Sequence, residues 1–299
     1  MDIHFIINPI AGKNQSIRKI SLLIDRLNTE YPDAFIHFTE SKGEGRKIAE
    51  SLKGDLVKLI ICGGDGTINE IVNGLGPYSS PIIDIFPIGS GNDLSRELNI
   101  NNNIEELIKR IQDDEYRIID LGEIVLTDDE NRSVKQIFCS SCGIGFDALA
   151  AHFSNKNTKL KGLLLYLSSA FSALRNYSNS RLSGHIDGQS IRFNSMMVSI
   201  GNGKTSGGGF KLLPFAQVDD GKLDLSIINY LNRLKILFYL PIAIFGKHTK
   251  MKIVNYSKFE SCSIQLDPGN YIHTDGEVIS MNGIKVEIRV LKNALKIKV

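Results

Sequence analysis

Over the first third of the chain, short apolar runs alternate with apolar residues at helical spacing. "IHFIIN" reads as a strand, and Ile17, Ile20, Ile24 and Leu27 then recur three and four residues apart, which predicts a helix from Gln15 to about Tyr31 with one buried stripe. The alternation continues through strand "FIHFT", helix "GEGRKIAESL" and strand "LVKLIIC". Next come a helix marked by Ile68, Ile71, Val72 and Leu75, strand "IIDIFPI", and a helix marked by Ile104, Leu107, Ile108 and Ile111. This is the pattern of an α/β domain, a sheet with helices on its faces.

Past Leu121 the pattern changes. Short β-rich runs, among them "GEIVLT", "VKQIFCSSCG", "LSGHIDGQSIRFNSMMVSIGNG", "KLDLSIIN" and "KVEIRVL", are separated by Gly, Asn and Asp turns, which predicts a mostly antiparallel second domain. The expected division is residues 1–121 and 122–287. Two insertions break the β pattern: "DALAAHFSNKNTKLKGLLLYLSSAFSALRNY", helix-like around a lysine-containing break, and "LNRLKILFYLPIAIFGKH", read as a helical pair.

Composition narrows the field only a little. The 299 residues, 42% hydrophobic, suffice for two ordinary cores, and a net charge of +2 from 35 basic and 33 acidic residues gives no sequence-wide reason to expect nucleic acid as a partner. The start, "MDIHFIINPIAG", has neither the basic n-region nor the apolar h-region of a secretory signal, so a cytoplasmic location is expected. Leu234 to Gly246 is too short for a bilayer core that needs about 20 apolar residues, and Pro241 interrupts it, so it reads first as a buried element, with a membrane-contacting surface as the alternative. Cys139 and Cys142 share CxxC spacing, but with no second pair or helix start beside them they read, like Cys62 and Cys262, as buried reduced thiols.

The chemistry concentrates at glycine turns. "CGGDGTINE" follows a strand and opens a helix near Thr67, which gathers free backbone N–H groups and the positive end of a helix dipole where a phosphate would bind. A tight turn with Asp65 or Thr67 as helix cap would explain two glycines and one polar residue. A second carboxylate beside an anion site calls for a cation or a proton donor between them. "FPIGSGNDLSREL" repeats the strand, glycine turn, helix order with Ser90, Asn92 and Asp93 at its mouth, and "NPIAGK" and "FTESKGEG" follow two further strands. In a parallel sheet all four turns share the edge at which ligands bind. Walker A and GxGxxG patterns are absent.

"GGDGTINE", "GSGND", "NPIAG" and "HTDGEVI" together resemble the diacylglycerol-kinase-type lipid kinases, which include soluble bacterial diacylglycerol kinases and sphingosine and ceramide kinases. The resemblance runs nearly end to end and implies a nucleotide-binding α/β domain followed by a β-sandwich-like domain, with ATP and the lipid headgroup meeting between them. It allows the last strand, about residues 288–299, to return to the first domain. Gly64, Asp65, Gly66, Thr67, Ile68, Asn69 and Glu70 would surround the ATP phosphates, with hydroxyls from Thr39 and Ser90 and with Asn8 and Lys13 nearby. Ser90 stands where many members carry Thr and keeps the hydroxyl. Glu277 matches the family's proton acceptor, and Asp65 and Asp93 its magnesium-linked carboxylates. Phosphoryl transfer to an alcohol needs both functions. "PFAQVDDGKLDL" matches a segment that holds a second, structural cation through Asp220 and the carbonyls of Gln217 and Lys222; an Asp-Gly turn is the alternative for it.

The implied protein is an ATP- and Mg²⁺-dependent kinase of the cytoplasm that meets the inner membrane surface transiently and peripherally. Its expected reaction is diacylglycerol to phosphatidic acid, and a homodimer is compatible with it. A kinase of a soluble alcohol such as NAD, or a non-catalytic nucleotide-binding regulator, would share much of the pattern.

Overall fold

The computed structural model describes residues 1–12, 17–156, 162–267, 269–280 and 283–299. They form two compact units, Met1–Ile119 with Asn293–Val299, and Asp120–Lys292.

The first unit contains β1 (Ile3–Ile7), α1 (Ile17–Glu30), β2 (Phe35–Phe38), α2 (Glu44–Leu52), β3 (Lys58–Gly63), α3 (Asp65–Leu75), β4 (Ile82–Pro87), α4 (Asp93–Glu97) and α5 (Ile104–Gln112). Strands β1, β3 and β4 are buried almost throughout, as their near-continuous apolar runs require of strands covered on both faces. The shorter β2 is half exposed and lies at the sheet's edge. All pairings are parallel, in the order β2-β1-β3-β4. One face packs Phe5, Ile7, Ile60, Cys62 and Phe86 against Ile20, Leu23 and Leu27 of α1 and Leu107, Ile108 and Ile111 of α5. Because β1 lies between β2 and β3, the chain leaves it in opposite directions on its two sides. Loops after β1 and β3 therefore open a crevice at their carboxyl ends.

The second unit continues with β5 (Arg117–Asp128), β6 (Ser133–Phe138), β7 (Ser141–Gly145), α6 (Phe146–Lys156), α7 (Gly162–Asn176), β8 (Ser180–Ile186), β9 (Gln189–Gly201) and β10 (Leu223–Asn229). There follow α8 (Arg233–Ile244), a 3-10 turn (Lys247–Lys250), β11 (Val254–Phe259), β12 (Ser261–Leu266), β13 (Ile272–Thr274), β14 (Glu277–Ser280) and β15 (Gly283–Ile297). Its strands pair antiparallel in the order β14-β13-β7-β9-β8-β12-β15, with β10 joining β9 to β11 and β6 pairing with β5. A core of Ile124, Phe138, Ile144, Val198, Leu225 and Ile264 fills the β layers. A second core, including Phe146, Leu174, Met197, Phe210 and Ile236, seats the helices. The end of β15 belongs to the first unit, where Ile297 pairs in parallel with Ile83 of β4.

Three expectations change. "VKQIFCSSCG" forms two strands, broken at Cys139–Ser140 because those amides turn to a side chain described below. The expected helical pair near residues 231–248 is one helix, α8, followed by a single 3-10 turn after Gly246, whose φ of 71° stops the helix. Leu234 to Gly246 is not buried as a whole: Phe238 and Phe245 of this stretch are 76% and 70% exposed. The break expected within the first insertion falls largely at residues 157–161, outside the described residues. All four cysteines are buried, and none is joined in a disulfide. Among the described residues no helix is long and apolar enough to cross a membrane.

Candidate active site

The two glycine turns after β3 and β4 pack backbone against backbone. A Cβ on Gly89 would lie 2.4 Å from the Gly64 Cα, and one on Gly64 would lie 2.9 Å from the Gly89 Cα, so neither position accepts a side chain in this geometry. Gly64 precedes α3 in extended conformation and, as its N-cap, gives it no side-chain hydrogen bond, so the positive end of the helix dipole faces the turn with no capping side chain from that residue. The Asn8 amide of the loop after β1 donates to Thr67 Oγ1 at 2.9 Å, and its backbone N–H to Cys62 O at 2.9 Å. This fastens the β1 turn to the β3 turn across the crevice. Thr39, at the end of β2, is buried and bonds its N–H to Ile7 O at 3.0 Å.

Asp65 and Asp93 are directly linked. The Asp93 N–H donates to Asp65 Oδ1 at 2.7 Å, and Asp93 Oδ1 accepts from Arg96 at 2.8 Å. Arg96 also donates to Gly91 O at 2.9 Å, and a Cβ on Gly91 would stand 2.6 Å from Asp65 Oδ2. The carboxylates are thus oriented by one amide and one guanidinium, with room kept beside Asp65 by the absence of a side chain. Asn92, at φ 54°, has its Oδ1 buried without a donor. An orphaned acceptor next to two carboxylates and a glycine cradle fits hydrated Mg²⁺ with a polyphosphate, since a metal-bound water is a donor.

The remaining residues of the β3 turn divide by task. Gly66 sits in the first turn of α3, but Ile68 is buried in the core and its N–H already serves Gly64 O at 3.0 Å. Asn69 is buried and accepts from the Asn73 side chain, while Glu70 Oε1 accepts the Gly43 N–H at 2.9 Å and so pins the loop before α2. Ser90 is exposed at the tip of the β4 turn. Lys13 lies outside the described residues.

In the second unit, Asp275 (φ 46°) and Gly276 (φ 84°) make the two-residue turn between β13 and β14 that precedes Glu277. The Asp275 carboxylate accepts the N–H groups of Cys139, Ser140 and Ser141 at 2.8, 2.8 and 3.0 Å. The Gly276 N–H donates to His273 Nδ1 at 3.1 Å, which puts the imidazole proton on Nε2, 3.2 Å from Asp147 Oδ2. His273 and Asp147 are both buried. Glu277 is half buried at the start of β14, on a turn held by both groups. Asp147, His273, Asp275 and Arg96 are the residues that sequence reasoning missed. The i,i+3 spacing of Asp93 and Arg96 on a helix could have revealed one pair; nothing in sequence joins Asp147 to His273.

Asp220 accepts the Lys222 N–H at Oδ1, 3.1 Å away, and its Oδ2 is paired with Lys258. The neighbouring Gly221 N–H goes to Asp120 Oδ2 at 2.6 Å. The ammonium thus neutralises the carboxylate expected to hold a cation with the Gln217 and Lys222 carbonyls, and a cation there would have to displace it. Among the described residues no group of three or more His, Cys, Asp or Glu side chains could hold a metal ion.

Residues 2–124 match the model of the diacylglycerol kinase catalytic domain, and residues 140–299 that of the YegS C-terminal NAD kinase beta sandwich-like domain. The chain belongs to the diacylglycerol kinase family. A diacylglycerol kinase of Staphylococcus haemolyticus is 27% identical over 274 residues, covering 91% of this chain and 81% of that protein. One from Staphylococcus aureus strain MRSA252 is likewise 27% identical, covering 91% and 84%. A crystal structure of a diacylglycerol kinase from Bacillus anthracis superposes with TM-score 0.74 at 22% identity, over 99% of this chain and 96% of that one. Yeast NADH kinase complexed with NADH superposes at 0.61 with 13% identity, over 100% and 83%, and shares the fold. The chain is a kinase, a phosphotransferase of two-domain α/β plus β-sandwich-like architecture.

Proposed function

We propose that the protein transfers the γ-phosphate of ATP to a lipid hydroxyl, with diacylglycerol as acceptor and phosphatidic acid as product. The observation that carries this reading is the linked pair of glycine turns, in which the Asp93 amide orients the Asp65 carboxylate at 2.7 Å beside the glycine N-cap of α3. ATP would supply the transferable phosphoryl group, with ADP as the leaving group, and Mg²⁺ bound with it would neutralise the triphosphate charge. Asp65 and Asp93 would hold the ion, with the α3 amides, Asn8, Thr67 and Ser90 around the phosphates. Asn8 and Thr67 fix each other, so their polar atoms are positioned before the nucleotide arrives. Glu277, held by the Asp275 and His273 contacts, would accept the proton of the acceptor hydroxyl. The diacylglycerol assignment takes its support from the name of the relatives that align over most of the chain.

Glu277→Gln keeps the size and removes the basic carboxylate. Loss of a general base costs about 10² to 10⁴ in rate, so kcat falls by that factor while nucleotide affinity is kept. Near-normal single-turnover rates on diacylglycerol vesicles would take the base role away from Glu277. A substrate dissolved in a bilayer also requires the enzyme to visit the cytoplasmic membrane surface, as a peripheral and reversible contact.

A further inference from the structure

Helix α8 carries large apolar residues both inward and outward, and its two outward rings are more exposed than Leu164 (67%) and Phe171 (58%) of α7. Its inward residues Ile236 and Tyr239 join the core with Ala243, while Phe238, Pro241 and Phe245, spaced three and four apart, are all exposed. Exposures of 76% for Phe238 and 70% for Phe245 are too high for side chains that serve the unit's own core. These two rings stand on one line along the outside of the helix.

Along the sequence, the charge on either side of that line has one sign. From Leu225 to Phe259 the sequence contains no Asp or Glu, and Arg233, Lys235, Lys247, Lys250 and Lys252 flank the stripe at both ends. All five are exposed. Lys235, Lys247, Lys250 and Lys252 have no carboxylate within ion-pair distance among the described residues. Lys211 adds a further cation, for its Cβ lies 3.3 Å from where a Cβ on Gly246 would be, just past the helix end.

We infer that the outer face of α8 is the surface by which this protein docks on an anionic lipid bilayer. Aromatic rings that insert at the headgroup level, rimmed by lysines that meet lipid phosphates, are what an interfacial helix needs, and α8 is too short to do anything but lie along the surface. The lysines favour an anionic bilayer over a neutral protein groove, and their mutual repulsion opposes stacking of the same face of a second copy. This inference rests on the lipid-acceptor reading for its purpose, and its test reads binding alone.

The test is sedimentation of the full chain with vesicles of phosphatidylglycerol and phosphatidylcholine, or of phosphatidylcholine only, without ATP. The wild type should bind the anionic vesicles, and more weakly as salt rises. Phe238→Ser with Phe245→Ser changes only exposed positions and should weaken partitioning by at least about tenfold. Lys247→Glu with Lys250→Glu should remove the preference for anionic lipid. Circular dichroism checks that each variant is folded, and phosphorylation of a detergent-dispersed acceptor should be unchanged. Wild-type binding by the double Ser variant would overturn the inference. So would a wild-type dimer that this variant dissociates, which would make the face a contact between copies. Failure to phosphorylate any lipid, with vesicle binding and its loss in the variants intact, would remove the acceptor assignment and leave the docking face.

Discussion

Asp65 shows how one backbone contact turns a loop carboxylate into a positioned group. Its Oδ1 accepts the Asp93 N–H, a task the Asn carbonyl oxygen can perform equally well. Asp65→Asn should therefore keep the two turns in place and lose only charge. We expect an unchanged circular dichroism spectrum and a fall in turnover of about 10² or more, as for removal of a group that stabilises the reacting charge. Turnover within threefold of wild type would show that the carboxylate has no part in the chemistry. Asp275 presents the opposite case. It holds three N–H groups at the break between β6 and β7, and hydrogen bonds to a charged acceptor contribute about 1.5–3 kcal/mol each before non-additivity is allowed for. Asp275→Ala should lower stability by about 3 kcal/mol or more in urea unfolding, with activity lost alongside it. A variant as stable as the wild type would mean that the strand break does not depend on this turn.

At the scale of the element, the same local sequence serves two different ends. "IDGQ" and "TDGE" both make Asp-Gly hairpins with positive φ, and in both the aspartate caps amides of another strand: Asp187 takes those of Glu260 and Ser261. Turn chemistry alone could not single out the second hairpin. Only the carboxylate at Glu277, where the first hairpin has Gln189, sets it apart. The Asp220 turn is a further test of element against site. With Lys258 already on the carboxylate, we expect a nucleotide-free melting temperature that does not respond to millimolar Mg²⁺, and a loss of about 1 kcal/mol or less in Asp220→Ala. A melting temperature that rises with Mg²⁺ in the wild type and not in the variant would establish a cation there, because a ligand of the native state stabilises by mass action.

For the whole molecule, the fold class was legible because both periodicities are strong. Fully apolar runs such as "LIIC" become buried parallel strands, and the change to short runs past Leu121 becomes the antiparallel part. The first unit's glycine turns were legible as a group because they share one sheet edge. What sequence could not give was contact at a distance: the Gly64–Gly89 approach, the Asp147–His273 pair set 126 residues apart, and Lys258 reaching Asp220. For α8 sequence left burial and exposure both open, and each holds on one face, because an outward apolar stripe looks the same in composition as an inward one.

Transfer of phosphate from ATP to a lipid is tested by direct identification of the product. Full-length protein would be incubated with γ-labelled ATP and Mg²⁺, with diacylglycerol in anionic vesicles in one reaction and with NAD in another. Label is expected in phosphatidic acid, dependent on vesicles and reduced about 10²-fold or more in Asp65→Asn. Label in NADP with none in the lipid would contradict that expectation, as would lipid phosphorylation that Asp65→Asn leaves intact.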